Sequence, residues 1–222
     1  ERFAAVTGVT PSEGWGMTET SPTGTFTPGQ VGAKRKIGSC GIPSPGITIK
    51  FLNIDDPTRF VPLGERGELG IKGPNVMKGY WNNPEATREA MTADGYLRTG
   101  DIGYMTEEGF VYIVDRTKDM IICGGFNVYP RNIEEAIYRH PAVEEVIVIG
   151  VPDAYRGQSP KAFVKLKEGS APLTLEQLRG FLGEYLGKHE MPHALELRAE
   201  LPKTAVGKLS KKDLYTQELG AA

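Results

Sequence analysis

"YIVDRTKDMIICGGFNVYP", Tyr112 to Pro130, separates two textures in the chain. Before it, short apolar alternations are divided by turn residues. After it, apolar residues recur at helical spacing between strand-like runs. The stretch packs Arg116, Lys118 and Asp119 between two apolar segments and then sets Gly124 beside Gly125. Paired glycines after a strand mark a bulge, backbone mobility or the close approach of a ligand. A solvated charge cluster followed by a hairpin turn is the alternative reading. The change of texture predicts a β-rich unit over residues 1–115 and an α+β unit over residues 116–222, with a hinge near DRTKD.

Towards the N-terminus, residues 1–45 are rich in Gly, Pro, Ser and Thr and read as mainly loop with short strands. GITIKFLNI, RGELGIKG and GFVYIVD read as strands, with turns at Pro62-Leu63-Gly64 and Glu107-Glu108-Gly109. One helix is expected from Asn83-Pro84 to Met91, because proline suits the first helical position. This half reads as a small β-barrel or sandwich. Towards the C-terminus, Ile133, Ala136, Ile137 and His140 share one helical face. VEEVIVIGV and PKAFVKLK are strands, and Thr174 opens an amphipathic helix carrying Leu175, Leu178, Leu182 and Tyr185. ALELRAEL is a short strand, and a last helix starts near Ser210.

Composition narrows the function classes. The 222 residues carry a net charge of -2, which gives nucleic acid or an anionic membrane surface no global electrostatic support. No apolar run reaches the roughly 18 residues of a membrane helix, though peripheral membrane contact stays open. Cys40 and Cys123 match no metal spacing and read as reduced thiols of a cytoplasmic protein. His140, His189 and His193 have no metal-pair spacing either.

Four stretches carry candidate chemistry. In EGWGMTET, Glu13 to Thr20, glycines flank an aromatic ring, and Thr18 and Glu19 offer a hydroxyl and a carboxylate suited to a phosphate oxygen and its Mg²⁺. A tight turn is the plainer explanation. In DGYLRTGDIG, Asp94 to Gly103, Asp101 sits at a strand edge where a carboxylate can accept two hydrogen bonds from a vicinal diol, or simply form a turn. The opening stretch is the third. The fourth, PKTAVGK (Pro202 to Lys208), resembles the end of a phosphate loop, but Pro202 stands where the first glycine belongs and Leu209 replaces the metal-binding hydroxyl.

In this order, EGWGMTET, GELGIKGPNVMKGYW, GYLRTGDIG, DRTKDMIICGGFNVYP and PKTAVGK resemble the adenylate-forming superfamily of acyl-CoA synthetases, peptide-synthetase adenylation domains and beetle luciferases. The wording from GYLRTGDIG onward looks most like medium- and long-chain fatty-acid-CoA ligases. The resemblance implies ATP, Mg²⁺ and coenzyme A as partners, and a fatty acid or other carboxylate as substrate. It places Trp15 against the adenine with Gly16 beside it, Thr18 on the α-phosphate, Glu19 on Mg²⁺ and Asp101 on the ribose hydroxyls, assisted by Arg116. Lys118 matches the family's hinge, Gly125 the path of the pantetheine thiol, and Lys208 the lysine that spans carboxylate and α-phosphate during adenylation. The family's loop for the β- and γ-phosphates has no counterpart here, so the chain is expected to be the C-terminal part of a ligase, inactive without the preceding part. A carrier-protein-loading adenylation domain and a non-catalytic adenylate- or partner-binding module are the alternatives.

Overall fold

The computed structural model describes residues 2–29 and 32–220. The chain divides into two units, the first reaching Thr117 and the second beginning at Lys118.

The first unit opens with helix α1 (Arg2–Thr7), where the sequence pattern suggested loop. Gly8 explains it: its left-handed φ of 69° and its N–H to Ala4 O close the helix, the usual glycine stop. Strands β1 (Gly14–Trp15), β2 (Thr25–Phe26) and β3 (Ile42–Pro43) form a small antiparallel sheet, with a one-turn 3-10 helix at Thr18–Thr20 between the first two. Strands β4 (Thr48–Leu52), β5 (Gly67–Lys72), β6 (Leu97–Met105) and β7 (Val111–Arg116) make a four-stranded antiparallel meander. Among the described residues it is an open sheet with β4 and β7 at its edges. Helix α2 (Pro84–Ala90) precedes β6, capped by the Asn83 side chain, which accepts from the Ala86 N–H. Ile49, Phe51, Leu69, Ile71, Leu97 and Val111 form the core, and Trp15 and Met17 pack against it. That packing sets the Trp15 segment beside the meander.

The second unit follows a one-turn 3-10 helix at Thr117–Asp119. Strands β8 (Ile121–Cys123) and β9 (Phe126–Val128) form a two-residue hairpin over Gly124 and Gly125. Their φ values of 59° and 84° are those a type I′ turn demands of both central residues. Helix α3 (Pro130–Ile137), the long pair β10 (Val143–Asp153) and β11 (Gly157–Leu166), helix α4 (Leu175–Leu182), strand β12 (Ala194–Leu197) and helix α5 (Lys212–Leu219) complete it. The sheet order is β10-β11-β8-β9, with β12 parallel to β11. Alternation along β10 feeds two cores. Val146 and Val148 meet α3 and α4 residues such as Ile133, Ile137, Leu178 and Leu182, while Ile147 and Ile149 meet Leu201 and Leu214. A strand buried on both faces reads as a continuous apolar run, which is what Val146 to Val151 is. The architecture is thus a β-rich subdomain followed by a small α+β domain.

Candidate active site

Trp15 is fixed from three sides. Its backbone N–H donates to Thr25 Oγ1 at 3.1 Å, and Thr25 Oγ1 donates to Cys40 O at 2.6 Å. The six-membered ring lies on Gly24, where an added Cβ would stand 2.4 Å from the indole. The indole N–H donates to Asp101 Oδ2 at 2.8 Å. The glycines flanking Trp15 are used by the protein's own backbone. A Cβ at Gly14 would meet Thr25 O at 2.9 Å, and one at Gly16 would meet Pro22 O at 2.3 Å. Gly24, not a neighbour of Trp15 in sequence, is the glycine the ring requires, and nothing in the motif announces it.

The 3-10 turn after Trp15 carries the threonine and glutamate. Thr20 is fully buried and closes the turn on itself, accepting from Met17 N–H and donating to Met17 O. Asn75 donates its amide to Thr20 O and Thr23 O, clamping the turn to the segment after β5. Glu19 O accepts from Met77 N–H at 2.8 Å, and the Glu19 carboxylate accepts from the Tyr80 hydroxyl at 3.0 Å. Burial, reinforced by Glu19, raises the Tyr80 pKa, so the phenol stays a donor. Thr18 is exposed beside this carboxylate.

Asp101 lies on β6 directly across from Arg116 on β7. Its side chain is 13% exposed, and Arg116 Nε stands 3.5 Å from Oδ1. Burial pushes the Asp101 pKa upward, with Asp115 and Glu68 adding to the push. The Trp15 hydrogen bond and the Arg116 charge oppose it. Trp15, Asp101 and Arg116 therefore form one connected group, with an indole face, an acceptor carboxylate and a cation in reach of each other. Such a group can accept a diol at the carboxylate and stack a flat ring on the indole.

In the second unit, Lys118 sits within the one-turn helix Thr117–Asp119. Gly125 occupies the exposed hairpin turn, and a Cβ there would meet nothing within 4 Å. Lys208 is exposed on a hairpin whose geometry is fully accounted for. Ser210 N–H donates to Pro202 O, Thr204 N–H to Lys208 O at 2.7 Å, and Gly207 N–H, at φ 78°, to Thr204 O. The Lys208 N–H closes onto Thr204 Oγ1 at 3.2 Å. Two ion pairs flank it: Lys203 with Glu145 of β10 at 2.6 Å, and Lys211 with Glu134 of α3 at 3.2 Å. His140 and His189 are engaged by rings, His140 against Phe181 and His189 against Phe126.

Residues 1–81 match the AMP-binding enzyme family, and residues 132–208 match the AMP-binding enzyme C-terminal domain. The chain belongs to the adenylate-forming superfamily. Among the curated relatives of this chain is a long-chain-fatty-acid–CoA ligase of Bacillus subtilis, 48% identical over 218 residues, covering 98% of the chain and 38% of the relative. The corresponding ligase of Escherichia coli O6:H1 is 44% identical, covering 99% of the chain and 38% of its own length. The chain thus spans about two fifths of the length of these relatives. Among solved structures, ATP-bound MatB from Rhodopseudomonas palustris matches 99% of the chain and 43% of its own, with TM-score 0.89 and 36% identity. The o-succinylbenzoate-CoA synthetase of Bacillus subtilis, in complex with its acyl-adenylate, matches 96% of the chain and 42% of its own, with TM-score 0.83 and 34% identity. Among the described residues, no helix is long and apolar enough to cross a membrane, and no cluster of three or more His, Cys, Asp or Glu could hold a metal by itself. A single fixed carboxylate such as Glu19 fits Mg²⁺, which is commonly held by one or two carboxylates together with phosphate oxygens.

Proposed function

We propose that this chain forms the C-terminal part of an ATP-dependent ligase that converts a fatty acid or other carboxylate to its acyl-adenylate, and then to a thioester of coenzyme A. The observation that carries the reading is the Trp15–Asp101–Arg116 group beside the Thr18–Glu19 turn, which offers a nucleoside a stacking face and a diol acceptor. In this reading Trp15 holds the adenine, with Gly16 keeping the turn compact, and Asp101 holds the ribose, with Arg116 limiting its motion. Thr18 contacts the α-phosphate and Glu19 holds Mg²⁺, which supplies charge neutralisation at the phosphates. Gly125 lets the pantetheine arm pass close to the backbone. The names of the relatives favour a fatty acid as the carboxylate.

Lys208 is the proposed catalytic cation. Adenylation brings two anions together, and an ammonium between them offsets their repulsion as charge develops. In the complete protein, Lys208→Ala is expected to cut acyl-adenylate formation by about 10²-fold or more, measured by pyrophosphate exchange. Transfer from a supplied acyl-adenylate to coenzyme A survives, because the lysine serves only the first step. Equal loss of both half-reactions would count against the assignment. The 222-residue chain by itself is expected to form no acyl-CoA from ATP, Mg²⁺, fatty acid and coenzyme A.

A further inference from the structure

Glu68 lies on β5, in a segment whose sequence reads as an ordinary half-buried strand, yet it is only 4% exposed. Its Oε2 accepts from Arg98 Nε at 3.1 Å and Nη2 at 2.7 Å. Its other oxygen, Oε1, accepts from the backbone N–H of Gly100 at 3.1 Å. The strand register explains why that N–H is available. β5 and β6 pair Glu68 with Ile102 and Gly70 with Arg98, so Leu69 alone faces Thr99, Gly100 and Asp101. A bulge of this kind removes backbone donors from the ladder, and buried donors need another acceptor. Gly100 finds Glu68. Asp101 finds Thr99, whose hydroxyl accepts the Asp101 N–H at 3.1 Å and donates to Leu69 O at 2.9 Å. Gly100 takes a left-handed φ of 74°, which suits glycine and completes the turn into Asp101.

The Asp101 carboxylate is therefore held by two sets of contacts. Trp15 and Arg116 hold its oxygens, while Glu68 and Thr99 hold the backbone that carries it. We propose that Glu68, together with Thr99, is a positioning residue for sugar selection, setting Asp101 to accept both hydroxyls of a ribose 2′,3′-diol. The proposal rests on the reading of Asp101 as the diol acceptor. A carboxylate accepts two vicinal hydroxyls only from a narrow range of positions. A site built to hydrogen-bond a substrate hydroxyl rejects the analogue that lacks it, because its own polar group is then left unpaired. Loosening the bulge relaxes that rejection and leaves the two sugars more nearly equal.

The test compares ATP with 2′-deoxy-ATP in carboxylate-dependent pyrophosphate exchange by the complete protein, as a ratio of kcat/KM. The unaltered protein is expected to prefer ATP by roughly tenfold or more, the scale of one hydrogen bond to a charged acceptor. Glu68→Leu leaves the Gly100 N–H unpaired and brings the ratio towards one. Glu68→Gln keeps an oxygen for Gly100 and holds the ratio within about threefold of the original, on the scale of less than one neutral hydrogen bond. Thr99→Val lowers the ratio and Thr99→Ser restores it, and this pair carries the test if Glu68→Leu fails to fold. A merely structural role would lower activity with both nucleotides alike and leave the ratio unmoved, which overturns the proposal. Asp101→Asn separates the two levels of the argument. If it erases the preference while Glu68→Leu and Thr99→Val keep it, the positioning role is wrong and the diol reading stands. If Asp101→Asn leaves the preference intact, or if the unaltered protein shows none, the diol reading falls and the proposal with it.

Discussion

Asp101 is an acid under opposing pulls, and its environment can be read through its neighbour Trp15. Burial raises its pKa above the ordinary aspartate value of 3.8, and the indole N–H and the Arg116 charge only partly offset that rise. The folded protein then binds this proton more tightly than the unfolded chain does. Stability linked to Asp101 is consequently greatest when both forms are protonated and declines as pH rises from the unfolded value through the raised folded one. In the proposed role the ionised carboxylate is the form that accepts a diol, so the residue would trade some stability for that charge. The chain has 2 tryptophans, so Trp81→Phe leaves Trp15 as the single indole. In that variant, Trp15 emission is expected to titrate in the acid range with a midpoint above that of an unperturbed aspartate, and Asp101→Asn is expected to remove the transition. A midpoint at or below 3.8 would mean that Trp15 and Arg116, rather than burial, dominate the site.

The hairpin bearing Lys208 shows the same division of labour at the scale of an element. Leu201 is buried and Leu209 packs beside it in the core formed with Ile147, Ile149, Phe163 and Leu214, so the base of the hairpin is rooted. Its tip, Ala205 to Lys208, is exposed. The Lys203–Glu145 pair ties one leg to β10, and the other Glu145 oxygen is buried with no hydrogen-bond partner among the described residues, so the pair is the main satisfaction that carboxylate has there. Glu145→Ala is expected to slow adenylation about three- to tenfold through lost placement of Lys208, with KM values for ATP and carboxylate nearly unchanged. Lys203→Ala should match it, and the double variant should be no worse than either single one, because both remove the same contact. Additive losses would show that the two residues act separately. This anchoring was not legible in the sequence, where Glu145 and Lys203 are 58 positions apart and each reads as a solvated charge. Glu68 was hidden for a related reason: period-2 alternation says which face a residue takes, but a bulge opposite Leu69 depends on the partner strand. The elements themselves were legible. Thr174 caps α4 with a reciprocal Gln177 contact, Asn83-Pro84 starts α2, and VEEVIVIGV is the strand it reads as, its cover on both faces being added by the structure. The parts of the site that motif order pointed to, Trp15, Asp101 and Arg116, are brought together. The groups around them, Gly24 under Trp15 and Glu68 and Thr99 on the backbone at Asp101, and Tyr80 on Glu19, have residue types that are unremarkable on a strand or turn.

At the scale of the whole molecule, each of the two units has its own core, and the chain passes from one to the other between Thr117 and Lys118. The two successive half-reactions of the proposed function would suit a protein whose smaller unit presents different surfaces in turn, a large rotation being absorbed by one or two backbone dihedrals. Lys118 is the proposed pivot. It lies in a one-turn 3-10 helix, where φ falls near -50° to -70°. Proline fixes φ near -65°, removes the N–H and disfavours a helical conformation at the residue before it, here Thr117. Lys118→Pro in the complete protein should therefore confine the pivot to a single arrangement. One half-reaction should then persist and the other collapse; the expectation is that adenylation, followed by pyrophosphate exchange, is the survivor, and that thioester formation from a supplied acyl-adenylate is lost. Lys118→Ala leaves φ free within the ordinary allowed regions and should keep both half-reactions within about tenfold. The contrast between the two variants carries the argument, because a pivot needs rotational freedom and makes no demand on charge. If alanine proved as damaging as proline, the ammonium itself would be the functional element, and the pivot would have to be sought at Thr117 or Asp119 instead.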